Sequence, residues 1–487
     1  MELLNKSISK MKERPIKVVQ FGEGNFLRGF VDYMLDVANE KGFFDGNIVL
    51  VKPIEYGNLE MFHKQECQYT VYLRGIVDGK EAKEKRSISS VADAVDAYLE
   101  YEKYSELAKL DSLRFVVSNT TEAGIVYDET DKFELNPPKT FPGKLTKFLY
   151  ERYKHFNGDR NKGLIMLPVE LIDNNGKKLK ECVMKLAVLW KLEAEFSAWI
   201  QEACEFCSTL VDRIVTGFPS EEANAIWDEC GYKDQLIVTA ETFALWVIES
   251  ERDIKGDLPL DKAGLPVIFT NNQAPYKERK VRILNGAHTS FVLASFLAGN
   301  NYVLESMNDN DVKTFMEETI FEEVIPTLSL SKEECEEFAK SVVERFYNPY
   351  IKHALLAISL NSVSKWRARC MPSLLKYVEK FNKLPKHLTF SIASLIAFYS
   401  GRELKDGALT AYRKDEEYKI RDDQEVLEFF RDYSCKPTEE IVEAFLKNEN
   451  FFGCDLTEIN GLMNVVISDL NDIKNLGMRT ALQNNLK

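Results

Sequence analysis

Residues 16–39 constrain the fold of this chain more than any other stretch. Ile16-Lys-Val-Val-Gln-Phe21 reads as a short buried strand, and Gly22-Glu-Gly24-Asn-Phe-Leu-Arg28-Gly29 follows without a break. From Phe30 to Asn39, Phe30, Tyr33, Met34 and Val37 recur at helical spacing. A glycine turn between a strand and a helix lets backbone N–H groups close on an anion at the helix N-terminus. The first βα turn of a doubly wound sheet holds a pyrophosphate in this way. The third glycine of the usual fingerprint is missing, because Leu27 stands there. A dinucleotide held here would draw on Val19, Phe21, Gly22, Gly24, Asn25 and Phe26.

The following segments extend the same pattern. Asn47-Ile-Val-Leu-Val51 comes at the distance expected of a βαβ unit. An acid at the end of this strand binds the adenosine ribose and favours NAD over NADP. Here the end reads Lys52-Pro-Ile-Glu55, so Glu55 is a late ribose ligand and Lys52 a group that would attract a 2′-phosphate. Cofactor preference stays open on these residues. Gln68 to Lys80 reads as a hairpin turning at Asp78-Gly79, and Val91 to Leu107 as a helix. Arg114 to Ser118 is a third core strand running into Asn119-Thr120-Thr121-Glu122. Ligands of doubly wound sheets sit beyond the carboxyl ends of the strands, which places Asn119, Thr120 and Glu122 on the ribose and nicotinamide side. Gly163 to Ile172 and Leu236 to Glu241 read as further strands.

Beyond about Pro275 strand signals give way to helical ones. Amphipathic stretches run over Asp311–Val324, Lys332–Tyr347, Ile351–Leu360, Met371–Asn382 and His387–Tyr399. Arg402–Asp423 is polar and reads as a surface loop. The expected architecture is an α/β, Rossmann-like doubly wound domain over 1–274 and a mostly α-helical domain over 275–487. The second opens on Lys280-Val-Arg-Ile-Leu-Asn285-Gly-Ala-His288. At about 100° per residue these three polar side chains share one arc of roughly 140°. A lysine can exchange a proton, an amide can hold an oxyanion and an imidazole can orient a hydroxyl. Reversible reduction of a carbonyl needs those three services, in a cleft between the domains.

Charge and cysteine usage narrow the alternatives. A net charge of -14 speaks against nucleic acid as the main partner, which needs a basic surface. It leaves room for a small anionic substrate, which feels local cations. Met1 to Pro15 lacks the apolar segment of a signal peptide, and no run of about 18 apolar residues suggests a membrane span. Nine scattered cysteines read as thiols of a reducing cytoplasm. Cys204-Glu-Phe-Cys207 has no second pair, so no metal site is expected and a zinc alcohol dehydrogenase is disfavoured.

Phe21-Gly-Glu-Gly-Asn-Phe-Leu-Arg-Gly-Phe30, Ser118-Asn-Thr-Thr-Glu-Ala-Gly124 and the Lys280, Asn285, His288 triplet resemble the polyol-specific long-chain dehydrogenases, the mannitol dehydrogenase family. Phe206 to Gly217, Pro275 to Val281, Arg345-Phe-Tyr-Asn-Pro-Tyr-Ile-Lys-His353 and Leu395 to Tyr399 resemble its branch acting on keto-hexuronic acids. The similarity runs from about Val18 to Met478.

The resemblance implies a metal-independent enzyme that uses NAD(H) to interconvert a keto-hexuronic acid and its alcohol in a bacterial cytoplasm. By carry-over, Lys280 is the general acid in reduction and the base in oxidation. Asn285 polarises the substrate oxygen and His288 positions it. The mannitol branch has a second oxyanion asparagine in an Asp-Asn pair ahead of an Asn-Gly; counting back from Gly176, that place holds Glu170-Leu171. The substrate carboxylate requires a cation, and Arg345, Lys365 and Arg369, with His353 nearby, are the expected substrate-binding groups. Fructuronate reductase and mannitol 2-dehydrogenase share the family chemistry and stand as alternatives. A nucleotide-binding protein without redox activity is the alternative of another class.

Overall fold

A computed structural model describes residues 1–121 and 123–487. Glu122, expected beside the nicotinamide, lies outside the described residues. The chain divides into two compact units, 1–273 and 274–487.

The strands of the first unit are, in order, β1 (Ile16–Phe21), β2 (Asn47–Lys52), β3 (Tyr69–Val77), β4 (Lys80–Ile88), β5 (Val91–Asp96), β6 (Phe115–Ser118), β7 (Ile165–Pro168), β8 (Glu205–Phe206), β9 (Ser208–Asp212), β10 (Val215–Gly217), β11 (Val238–Ala240), β12 (Leu245–Glu249) and β13 (Val267–Thr270). Six of them form a parallel sheet in the order β5-β2-β1-β6-β7-β8. The strand order reverses between β1 and β6, the switch point at which doubly wound sheets take their ligands.

Alternation along β1 explains why the sheet is covered on both faces. Val18 packs with Leu50, Val117, Leu167 and Trp246 in one apolar cluster. Val19 and Phe21 point the other way, into a second cluster with Val49, Val116, Phe141, Phe148 and Trp199. Strands buried on both sides must be apolar on both sides, which produces the runs seen in the sequence. Each fully buried aromatic or aliphatic side chain contributes about 1.5–3 kcal/mol.

Two expectations need correction here. Val91 to Leu107 is not one helix: β5 pairs in parallel with β2, and only Tyr101–Leu107 is helical. The free edge of β2 recruits Val91–Asp96, whose two alanines and run-on into Tyr101–Leu107 read as helical on their own. Leu236 to Glu241 does contain a strand, β11, but it lies outside the six-stranded sheet. It joins β10, β3 and β4 in a second, four-stranded sheet. The expected hairpin is present there, with Asp78 and Gly79 both at positive φ.

In the second unit the apolar helix Gly286–Ala298 is central and packs on Lys386–Phe398. The expected helices at 332, 371 and 387 are present. The one at Ile351–Leu360 shrinks to Leu355–Ile358, because 351–354 is drawn out to bridge Tyr302 and Ala354. Arg402–Asp423 is not a loop. It forms a three-stranded antiparallel sheet of β14 (Glu403–Lys405), β15 (Ala408–Arg413) and β16 (Glu416–Ile420). No helix among the described residues is long and apolar enough to cross a membrane.

Candidate functional site

The first candidate region lies at the carboxyl ends of β1, β2 and β6. Gly22 takes φ +122°, and a Cβ on it would sit 3.0 Å from Leu27 Cδ1 and 3.2 Å from the Asn119 carbonyl. Only glycine lets the turn after β1 lie this close to the loop after β6. Its N–H donates to the Val51 carbonyl at 3.0 Å, and Asn119 N–H donates to the Phe21 carbonyl at 3.1 Å. Gly24 differs: no atom lies within 4 Å of where its Cβ would be, and it is exposed. It begins a helical run from Asn25 to Glu40, with no side-chain cap at Gly24. Open space before uncapped helix N–H groups suits a pyrophosphate, so the residues present fit a dinucleotide.

The individual residues divide by role. Asn25 is exposed and its Oδ1 accepts from Arg28 Nη2 at 2.7 Å. Phe26 stacks on Phe30 at 5.1 Å. Val19 and Phe21, expected among the cofactor contacts, are wholly buried, so their side chains belong to the core and not to a ligand surface. Asn119 and Thr120 remain partly exposed beyond β6.

Lys52 is not available to a 2′-phosphate. Its Nζ is buried, ion-paired to Asp96 at 3.0 Å, and it donates to the carbonyls of Ile54, Glu55 and Tyr56. The lysine pins the loop after β2, and Glu55 stays exposed on that loop. Glu170 is buried, and its carboxylate accepts from Ser118 and Thr120. Burial raises its pKa above the ordinary carboxylate value. It serves the β6 loop and supplies no amide donor. Cys204 and Cys207 are buried free thiols, each pushed by burial to about 12. Among the described residues no three His, Cys, Asp or Glu side chains gather as a metal-ligand set.

The second region lies in the helical unit. Lys280–Asn285 is a π-helical segment inserted between Ala274–Arg279 and Gly286–Ala298. Gly286 N–H reaches back to the Val281 carbonyl, five residues away. The 100° spacing expected for Lys280, Asn285 and His288 therefore does not hold. A π turn brings residues five apart, here Lys280 and Asn285, towards one side, and such widened turns recur at functional sites. Neighbours brace the segment. Arg279 lies over Phe338 at 4.6 Å, Arg282 Nη1 donates to Ser373 Oγ at 3.4 Å, and Glu278 pairs with Lys376 at 2.6 Å.

His288 lies one turn further on. Its ring packs 4.4 Å from Phe346 and 5.1 Å from His353, and its Nε2 is buried without a hydrogen-bond partner. Burial, then His353, Arg345, Arg369 and Lys365, hold its pKa well below the ordinary 6.5. The four expected substrate-binding groups thus share one electrostatic neighbourhood. Arg369 Nη1 donates to Thr289 Oγ1 at 3.3 Å and Lys365 Nζ to the Ile358 carbonyl at 3.0 Å. The helix carrying both, Ser362–Arg369, is anchored by Trp366 Nε1 on Ser391 Oγ at 2.9 Å.

Comparison with known proteins adds to this geometry. A family model described as the mannitol dehydrogenase Rossmann domain matches residues 16–262, and one described as the mannitol dehydrogenase C-terminal domain matches 272–474. The chain is 44% identical over 476 residues to an altronate oxidoreductase of Enterobacter sp. (strain 638), covering 96% of each. It is 42% identical over 487 residues to the altronate oxidoreductase of Bacillus subtilis (strain 168), covering 99% of this chain and 98% of the other. A substrate-free D-sorbitol dehydrogenase superposes with a TM-score of 0.80 at 21% identity, over 99% of this chain and 100% of that one. Pseudomonas fluorescens mannitol 2-dehydrogenase, solved with NAD and D-mannitol, gives 0.68 at 21% identity over 100% and 99%. These two solved structures share the fold.

Proposed function

The chain belongs to the mannitol dehydrogenase family, and from that premise we propose that it reduces D-tagaturonate to D-altronate with NADH, reversibly. The family makes it an oxidoreductase acting on CH–OH groups. The substrate is read from the altronate oxidoreductases that it matches over nearly their full length. When bound, NADH supplies the hydride to the carbonyl carbon. The side chains of this protein govern the oxygen. The Lys280 ammonium gives it a proton in reduction, and the free amine takes that proton back in oxidation. Asn285 holds the oxygen through its amide N–H while negative charge grows on it. His288, kept neutral, hydrogen-bonds and orients the reacting hydroxyl.

One observation carries the uronate over a neutral polyol: the groups acting most strongly on His288 after burial are His353, Arg345, Arg369 and Lys365, all basic. A substrate carboxylate would answer the charge of Arg345, Arg369 and Lys365, and guanidinium groups bind it in bidentate fashion. Mannitol carries no such charge. Free thiols at all nine cysteines agree with a cytoplasmic setting.

The test is a reductase assay on tagaturonate, fructuronate and fructose, each with NADH and NADPH. Tagaturonate with NADH should give the highest kcat/KM; a preference for fructuronate or fructose would reassign the substrate. Lys280→Ala should lower turnover by about 10²–10⁴ while NADH still binds. Unchanged turnover in that variant would remove the lysine from the mechanism, and no turnover of any of the three substrates by the native chain would favour a non-redox nucleotide-binding protein.

A further inference from the structure

Glu170 stands two residues beyond β7, and its carboxylate faces the loop after β6. It is 2% exposed. One oxygen accepts from the Thr120 backbone N–H at 3.0 Å and from Thr120 Oγ1 at 2.9 Å; the other accepts from Ser118 Oγ at 3.1 Å. Strand register sets this reach, because Ser118 pairs with Pro168 and Val169 N–H donates to the Ser118 carbonyl at 2.8 Å. Asn175 fixes the other end, its Nδ2 donating to the carbonyls of Pro168 and Glu170, both at 3.0 Å.

A hydroxyl owns one proton. Thr120 has given its proton to Glu170, so its oxygen offers only lone pairs to anything else. We propose that Glu170 is a positioning residue of the dinucleotide site: it fixes the backbone of residues 118–120 and makes Thr120 an obligate acceptor for a hydroxyl of the nicotinamide-side ribose. The inference rests on the reading of the Gly22–Gly24 turn and the loop after β6 as the NAD(H) site. It explains why a buried carboxylate is kept where three neutral donors converge. Glutamine would bring one oxygen and an N–H₂ group, and the N–H₂ group would face a hydroxyl already committed as donor. One hydroxyl would then have to rotate.

NADH binding to the full chain, measured by fluorescence titration, tests this alongside KM for both substrates. A single misdirected hydrogen bond is worth roughly tenfold in affinity, so Glu170→Gln and Thr120→Val should each weaken NADH by about that factor. KM for the keto acid should stay unchanged, Thr120→Ser should match the native chain, and the double variant should be no weaker than Thr120→Val alone. Gly24→Val fills the space before the helix and separates the two readings. If Gly24→Val binds NADH normally, the dinucleotide reading itself fails. If Gly24→Val loses NADH while Thr120→Val binds as tightly as the native chain, or if the two single effects add, the role of Glu170 is overturned. Should Glu170→Gln not fold, the contrast of Thr120→Val with Thr120→Ser decides alone.

Discussion

The imidazoles of His288 and His353 meet edge to face, ring centroids 5.1 Å apart with planes at 73°. Burial is the first cause holding His288 below its ordinary pKa, and His353 is the second. Burial lowers the pKa of His353 as well. Two neighbouring imidazoles in a basic setting resist taking up a second charge. His288 is therefore neutral throughout the range above pH 6.5, as the hydrogen-bonding role proposed for it requires. Its substitution by Gln should lower kcat/KM by about 10–100-fold without moving any pH step between 6.5 and 9. A step in that window that disappears with His288→Gln would show an imidazolium at work.

If the substrate carboxylate is read as proposed, removing Lys365 or Arg369 separates charge recognition from chemistry. Lys365→Met and Arg369→Met should each raise KM for the keto-hexuronate by roughly 10–100-fold, the loss expected of a charge-assisted hydrogen bond, with kcat largely kept. Any residual activity on fructose should be indifferent to both changes. Arg369→Met also loses its bond to Thr289, so Tm is measured with it. Unaltered KM in both variants would leave the carboxylate without a reader on this helix.

Much of this site was readable from local pattern, and the remainder was not, for definite reasons. The β1 strand, its glycine turn and the helix after it are contiguous, so periodicity and two glycines announce them. The Lys280 to His288 spacing was visible too, but not that the backbone widens to a π turn there, which depends on packing from distant helices. Glu170 looked like a place where an amide had gone missing. Its actual partners, Ser118 and Thr120, lie about fifty residues upstream and reach it only through the pairing of β6 with β7. The small sheet over 403–420 hid behind its charged outward face. Alternation survives in Glu416-Glu-Tyr-Lys-Ile420, where Tyr418 and Ile420 are buried, and Asp406-Gly407 marks its first turn, both at positive φ.

The Lys52–Asp96 pair bears on cofactor choice. Both side chains are almost fully buried, at 1% and 6% exposure, and Lys52 also holds three loop carbonyls. The 2′-phosphate of NADPH would therefore meet no cation from Lys52, while Glu23 and Glu55 bring carboxylates to the turn and the loop. Like charges in close contact cost several kcal/mol, so NADH should be favoured over NADPH by on the order of 10² or more in kcat/KM. Asp96→Asn should lower stability by roughly 3 kcal/mol, because it strands a buried ammonium. Comparable rates with both cofactors would show that a cation elsewhere meets the phosphate.

Asp469, in the helix Leu462–Leu476, provides a stability test away from the chemistry. Its Oδ2 is buried without a hydrogen-bond partner, and burial, then Asp472, raise its pKa from 3.8 to about 7. A carboxyl whose folded pKa is raised favours the protonated form in the native state. Its burden on stability is absent below pH 3.8, grows as pH rises through the interval to 7, and is complete above it. Lys386 relieves part of that burden. Asp469→Asn should therefore stabilise the protein by about 1–2 kcal/mol at pH 8, less at pH 6 and not at all near pH 4. Denaturant unfolding of both proteins at those three pH values measures the trend, and a gain that does not shrink on acidification would mean that the carboxylate charge is not its source.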